Sequence, residues 1–201
     1  MEIVRKTVEN DEEYLRQIST DVDFEKEDYI KYIDILREYL SKNSAYALAP
    51  VQIGIPKRLI YIRNTTSDMS KNTDGNYNEE KIYINPIIIK AYGHTKFLEG
   101  CESCRIIKNG KDIFFTGVID RPYKIDIEYQ DINGEKKEKT LEGFETTVFC
   151  HEYDHLNGIL HMDKAKEIFE MTLEEMKEYR TEHKYEILSK DDEYIIKNKT
   201  L

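Results

Sequence analysis

The order of patterns along this 201-residue chain predicts an α+β fold, with antiparallel or mixed sheets packed around a central helix. Three observations carry that prediction. An amphipathic repeat near the N-terminus reads as a helix, alternating apolar residues in the middle read as strands, and helical spacing returns near residue 144. The chain has length for a sizeable core, with no internal repeat and no linker. Residues 1–201 are therefore expected to form one domain, its core over about 1–165 and a helical extension over about 165–201.

The N-terminal helix is expected over residues 25–40, where Tyr29, Ile33, Leu36 and Leu40 share a face and Asp21 or Asp23 stands near the start as a cap. Arg58–Arg63 and Lys81–Asn85 read as strands, and Pro86–Lys90 follows with β-branched residues. Between them, Asn64–Glu80 is rich in Asn, Ser, Thr, Asp and Gly and reads as a surface excursion. Tyr123–Gln130 alternates, with Tyr123, Ile125, Ile127 and Tyr129 on one face. Asn133-Gly134 marks a hairpin turn and Glu135–Leu141 the return strand. A last helix is expected from Thr172 to about Leu188. Thr172 and Glu175 form its capping box, and Leu173, Met176, His183 and Ile187 its face.

The central helix carries the chemistry. Phe144, Val148, His151 and His155 repeat at helical spacing, and Gly158 stands where a helix C-terminus favours glycine. His151 and His155 are four residues apart and point the same way, with Glu152 beside them. In an H-E-x-x-H pattern of this kind both imidazoles hold one metal ion and the glutamate serves as general base. The bland reading is a surface helix with some histidines, and the string arises by chance on the order of once in a hundred chains of this length. The apolar residues Phe144, Val148 and Phe149 just upstream do not suit a solvated helix. Spacing alone assigns no functional role to His94 or His161, and His183 reads as a half-buried helix residue.

The net charge of −10 argues against nucleic-acid binding, specific DNA binding included, as the main function. No stretch approaches the ~18–20 apolar residues of a membrane span. The first residues are too charged for a signal peptide, so a cytoplasmic location is the expectation. Three cysteines make a disulfide framework unlikely.

Two histidines do not complete a metal site. A catalytic site needs three protein ligands and an open position, a structural site four. Cys101 and Cys104 spell C-x-x-C, which leaves three readings: a closed site of both cysteines with His151 and His155, a redox dithiol, or one cysteine as ligand. In an extended segment residues three apart point to opposite faces, which favours the single ligand. Gly100 would let the backbone approach a metal closely, which favours Cys101. Asp154 and Glu99 read as carboxylates that support the ligand histidines rather than as ligands.

Glu99–Ser103 (EGCES) and His151–Leu156 (HEYDHL) together resemble the peptide deformylases, whose motifs include E-G-C-x-S and H-E-x-D-H. The family's first motif, G-x-G-L-A-A-x-Q, is matched in part by Ala45–Gly54, which keeps Leu48, Ala49, Gln52 and Gly54. The resemblance covers roughly residues 1–165. It departs at Ala45 and Ala47, which replace both glycines, at Pro50, at Glu102, and at Cys104-Arg105. It implies hydrolysis of the N-formyl amide of peptides beginning with formylmethionine, with release of formate. It also implies one divalent metal ion per chain on Cys101, His151 and His155. Iron(II) is expected in the cell, with nickel, cobalt or zinc able to take the site, whereas the donor set by itself suits zinc. Gln52 and the backbone N–H of Glu102 would support the carbonyl oxygen. The expected partner is the formylmethionyl peptide, with a transient contact to the ribosome.

Other readings make the chain a weak or inactive binder of metal or peptide on the same fold, a general zinc endopeptidase, or a structural zinc module. Glu152 and Gln52 weigh against the first, and the E-G-C-x-S string against the second.

Overall fold

The long strand that organises this molecule, β3 (Glu80–Lys108), joins three stretches that look separate in the sequence. The computed structural model describes residues 3–43, 45–63 and 80–195, so all of the polar excursion except Glu80 lies outside the described residues. Before β3 come α1 (Val8–Leu15), α2 (Tyr29–Ser41), β1 (Ala47–Leu48), a 3-10 turn (Pro50–Ile53) and β2 (Leu59–Arg63). After it come β4 (Lys111–Arg121), β5 (Lys124–Gln130), β6 (Lys136–Glu142), α3 (Phe144–Leu156), a 3-10 turn (His161–Asp163), β7 (Phe169–Met171), α4 (Leu173–Glu182) and β8 (Glu186–Glu193). The fold is α+β, as expected.

All the pairings between these strands are antiparallel. Along one path the order is β1-β2-β3-β4-β7, while β5 (with β6 outside it) and β8 also pair with β3. One strand serves so many partners because it bends. Its register shifts between Ile84 and Ile87, between Ile88 and Lys90, and between Gly100 and Arg105. Asn85 at the first bend has φ 50, and its side chain bonds both the N–H (2.8 Å) and the carbonyl (3.0 Å) of Val22. Pro86 is tolerated there because an irregular position needs no ladder N–H. The β5–β6 hairpin forms as expected, with Gly134 at φ 80 in its turn.

Helix α2 starts at Tyr29, not at residue 25. Asp28 is its cap, accepting from Lys31 N–H, whereas Asp23 caps the preceding turn through the N–H groups of Glu25 and Lys26. Ile33, Leu36, Tyr39 and Leu40 pack on Leu48, Leu59, Tyr61 and Ile84. Helix α3 is buried on most of its circumference. Phe149, Cys150, Tyr153 and Leu156 enter the core with Ile60, Ile62, Ile125 and Ile127, while Phe144, Val148 and His151 line a cavity. The expected stripe is thus the wall of the site. The helix ends at Leu156 with Gly158 at φ 70, where an added Cβ would lie 2.1 Å from the Arg16 carbonyl oxygen.

The C-terminal expectation needs correction. The Thr172–Glu175 capping box forms, but α4 stops at Glu182, and the predicted last turns are β8, paired to β3 at Tyr92 and His94–Lys96. Exposed residues of middling helix propensity give way where a sheet edge offers backbone partners. His183 and Ile187 are exposed rather than on a helix face. None of the described helices is long and apolar enough to cross a membrane.

Candidate active site

The Gly100–Arg105 irregularity of β3 faces the middle of α3. Cys101 Sγ and one ring nitrogen from each of His151 and His155 lie within 4.8 Å of one another, and Cys101 Sγ is 3.3 Å from His155 Nε2. Among the described residues this is the one group of three or more such side chains whose atoms could share an ion. Cys104 is not in it, though not for the reason spacing suggested. Residues 101–104 are a bulge rather than a regular strand, and both cysteines are buried in one cluster with Leu15 and Leu160.

Each group is held by others. His151 Nδ1 donates to Glu99 Oε2 at 2.8 Å, which makes Nε2 the ring nitrogen that could ligate. Glu99 accepts two bonds from Arg121, Nε at 2.8 Å and Nη2 at 2.9 Å. Arg121 also reaches Asp154, whose other oxygen accepts from Lys164 Nζ at 2.8 Å. Asp154 therefore braces Arg121, and its carboxylate hydrogen-bonds neither histidine. Arg121 is 1% exposed, and its pairing satisfies two buried carboxylates. No local pattern marks it, because its partners lie 22 and 33 residues away.

Gln52 sits at the end of the 3-10 turn. Its Oε1 accepts from Ala49 N–H at 3.0 Å, which aims the amide nitrogen at Ser103 Oγ (3.1 Å) and Cys101 Sγ (3.4 Å). Pro50 fits the first position of that turn, where its fixed φ suits and no N–H is needed. Glu152 is buried and lines the cavity, and its Oε2 lacks a hydrogen-bond partner, as does His155 Nδ1. Glu102 has an exposed side chain on the same cavity.

The electrostatics follow from these contacts. A hydrogen bond from Cys104, with the charges and hydrogen bonds of His155 and His151, holds the Cys101 thiol well below its ordinary value despite burial. These contacts favour the thiolate form of Cys101, the form that ligates metals. Burial works against charge on His151, but bonds to Cys101 and Glu99 push it well above its ordinary value. Burial would raise Glu99, yet Arg121 and His151 hold it well below the carboxylate range. Burial raises Glu152, and the two histidines oppose that.

His161, given no role by spacing, is 1% exposed, with its ring centroid 5.6 Å from that of His151. Its Nε2 donates to the Phe115 carbonyl at 2.9 Å. Burial, and then the charge of His151, lower it to about 4, so it is neutral at pH 7.

The cavity has a volume of about 320 Å³. Its walls are mainly apolar, and Ala45 and Ala47 are among them. A mostly apolar pocket with a few converging polar groups suits a small ligand or a peptide end.

A buried thiolate, two imidazoles and an adjoining carboxylate with a free oxygen, opening on an apolar cavity, fit a hydrolase that works with a bound metal ion. The sequence model of the polypeptide deformylase family matches residues 4–170. The chain is 32% identical to the peptide deformylase of Rhizobium meliloti over 149 residues, covering 74% of this chain and 78% of that one. It is 34% identical to peptide deformylase 2 of Clostridium acetobutylicum, covering 79% and 93%. Among solved structures it resembles a probable peptide deformylase from Synechococcus phage S-SSM7, with TM-score 0.65 and 30% identity over 81% of this chain and 99% of that one. The peptide deformylase of Thermotoga maritima also gives TM-score 0.65, at 28% identity over 83% and 99%. The chain belongs to the peptide deformylase family.

Proposed function

We propose that this enzyme hydrolyses the N-formyl amide of peptides that begin with formylmethionine, releasing formate and a free amino terminus. The observation that carries the reading is Glu152, buried with an unpartnered oxygen in the cavity that Cys101 and His151 also line. The donor set fits one divalent ion on Cys101 Sγ, His151 and His155. Such an ion would supply Lewis acidity at the formyl carbonyl and make water a stronger acid. We read iron(II) as the ion used in the cell, with nickel, cobalt or zinc as substitutes.

Glu152 takes the proton from the attacking water as its oxygen bonds to the formyl carbon. The C–N bond then breaks, and Glu152 passes that proton to the departing amine. Charge that builds on the formyl oxygen meets the Gln52 amide N–H and the backbone N–H of Glu102. The Ala49 N–H holds the Gln52 oxygen, which turns the amide nitrogen toward Cys101. Glu99 and Arg121 keep the His151 ring in place, and the apolar walls exclude water from the breaking bond. The substrate is met in the cytoplasm, on chains leaving the ribosome. A merely binding role is not favoured, since Glu152 and Gln52 both line the cavity beside Cys101.

The test is formate release from formyl-Met-Ala-Ser by protein loaded with nickel or iron(II) without oxygen, beside Glu152→Ala. The native protein should release formate, and the variant should be slower by about 10²–10⁴-fold. An ion bound in the native protein with no formate released would sink the reading.

A further inference from the structure

The bulge of β3 brings two cysteines together, although an ion on His151 and His155 would use only one of them. Gly100 pairs with Thr116 of β4 and Arg105 with Phe114, so residues 101–104 stand opposite Phe115 alone. Five steps of regular strand span about 17 Å, yet here they cover two steps of β4, about 7 Å. The surplus chain must loop out, which draws its first and last residues, Cys101 and Cys104, toward each other. Cys101 Sγ is turned into this loop, where it accepts from the Ser103 N–H at 3.4 Å. The Cys104 thiol hydrogen-bonds the same sulfur. Both cysteines pack with Leu15 and Leu160 in one buried cluster, whereas Cys150 packs in another. The two sulfurs differ in access. Cys101 lines the cavity, while Cys104 is fully buried and is not part of the cavity wall. Cys104 also stands where the chain departs from the family's motifs.

We propose that Cys101 and Cys104 form a reversible thiol–disulfide pair, which withdraws Cys101 from the metal site when hydrogen peroxide enters the cavity of the unloaded protein. The inference rests on the reading of Cys101 as a metal ligand. The Cys101 sulfur attacks one peroxide oxygen, the O–O bond breaks, and water leaves with the Cys101 proton, giving a sulfenic acid. The Cys104 sulfur then attacks the Cys101 sulfur, the S–O bond breaks, and the hydroxyl leaves as water with the Cys104 proton. The two thiols lose two electrons and two protons in all, and the peroxide is reduced to two waters. Burial shields Cys104 from the peroxide, so it is still a thiol when the sulfenic acid forms beside it. A cysteine without such a neighbour goes on to sulfinic acid, which thiols do not reduce. The bridge stops at a state that a dithiol reverses by exchange. A bridged Cys101 has no thiolate to offer, and His151 and His155 alone are too few ligands.

The experiment treats the metal-free protein with hydrogen peroxide and follows thiols, mass and nickel binding. Free thiols should fall from three to one, and the mass should fall by two hydrogen atoms. Peptide mapping should place the bridge between Cys101 and Cys104. Nickel binding, read by calorimetry, should be lost and should return after dithiothreitol. In Cys104→Ser the same treatment should add oxygen to Cys101, and dithiothreitol should not reverse it. Cys150→Ala should form the bridge as the native protein does. Oxygen added to Cys101 of the native protein, a bridge to Cys150, or a loss of nickel binding that dithiothreitol does not reverse overturns the proposal, and these are read on the native chain whether or not a variant folds. A bridge that leaves nickel binding intact also overturns it, and removes Cys101 from the ligands. Reversible loss of nickel binding in a protein that releases no formate supports the switch and sinks the deformylase reading alone.

Discussion

Arg121 and His161 show what a single buried residue does here and how little the sequence says of it. The H-E-x-x-H string names its own chemistry because the spacing is short and the helix is regular. Arg121 sits in a strand with no local sign of its duty, which is to neutralise Glu99 and Asp154 where water cannot reach. His161 has a consequence that can be measured. Its folded pKa, about 4, lies below its ordinary value of 6.5. The unfolded chain therefore binds the extra proton first, and stability falls as the pH drops from about 6.5 toward 4. Between pH 7 and pH 5 this one group should account for about 2 kcal/mol of lost stability. Urea unfolding of His161→Phe at the two pH values should show a drop smaller by that amount. An unchanged drop would mean that His161 protonates as easily in the folded protein.

At the scale of the element, patterning succeeded where one force acted and failed where two competed. The β5–β6 hairpin and the start of α4 were legible because alternation, a turn glycine and a capping box all agree. The tail after Glu182 departs from its weak helical spacing because the free edge of β3 supplies hydrogen bonds that only tertiary structure reveals. The same limit hid the bulge at residues 101–104, which aims Cys101 at α3. The end of α3 was legible, and its cause can be tested. Gly158→Ala meets both a left-handed backbone and the Arg16 carbonyl oxygen at 2.1 Å. It should cost more than about 2 kcal/mol by chemical denaturation. A loss of only a few tenths would show that the connection relaxes.

For the whole molecule, the site joins pieces from distant parts of the chain: the 3-10 turn, the bulge of β3, α3 and α4. An ion held by Cys101, His151 and His155 would bridge β3 and α3, and would stabilise the fold by as much as it prefers the folded chain. Nickel at about 100 times its dissociation constant should add about 2.7 kcal/mol and raise Tm. Cys101→Ala should remove most of that rise while leaving the unloaded protein folded. An equal rise in both proteins would place the ion elsewhere.

The sequence by itself determined the class of fold, the helix that carries His151, Glu152 and His155, the hairpin, and, through EGCES and HEYDHL, the family. These features are written in short spacings, where local geometry fixes which side chains face the same way. Tertiary structure decided the rest. It bent β3 so that Cys101 faces α3, set Arg121 between two carboxylates from other elements, buried His161 beside His151, and drew α4 across the end of the cavity. Those outcomes depend on contacts between residues far apart in the chain, whose geometry is set by packing and by the need to satisfy buried polar groups.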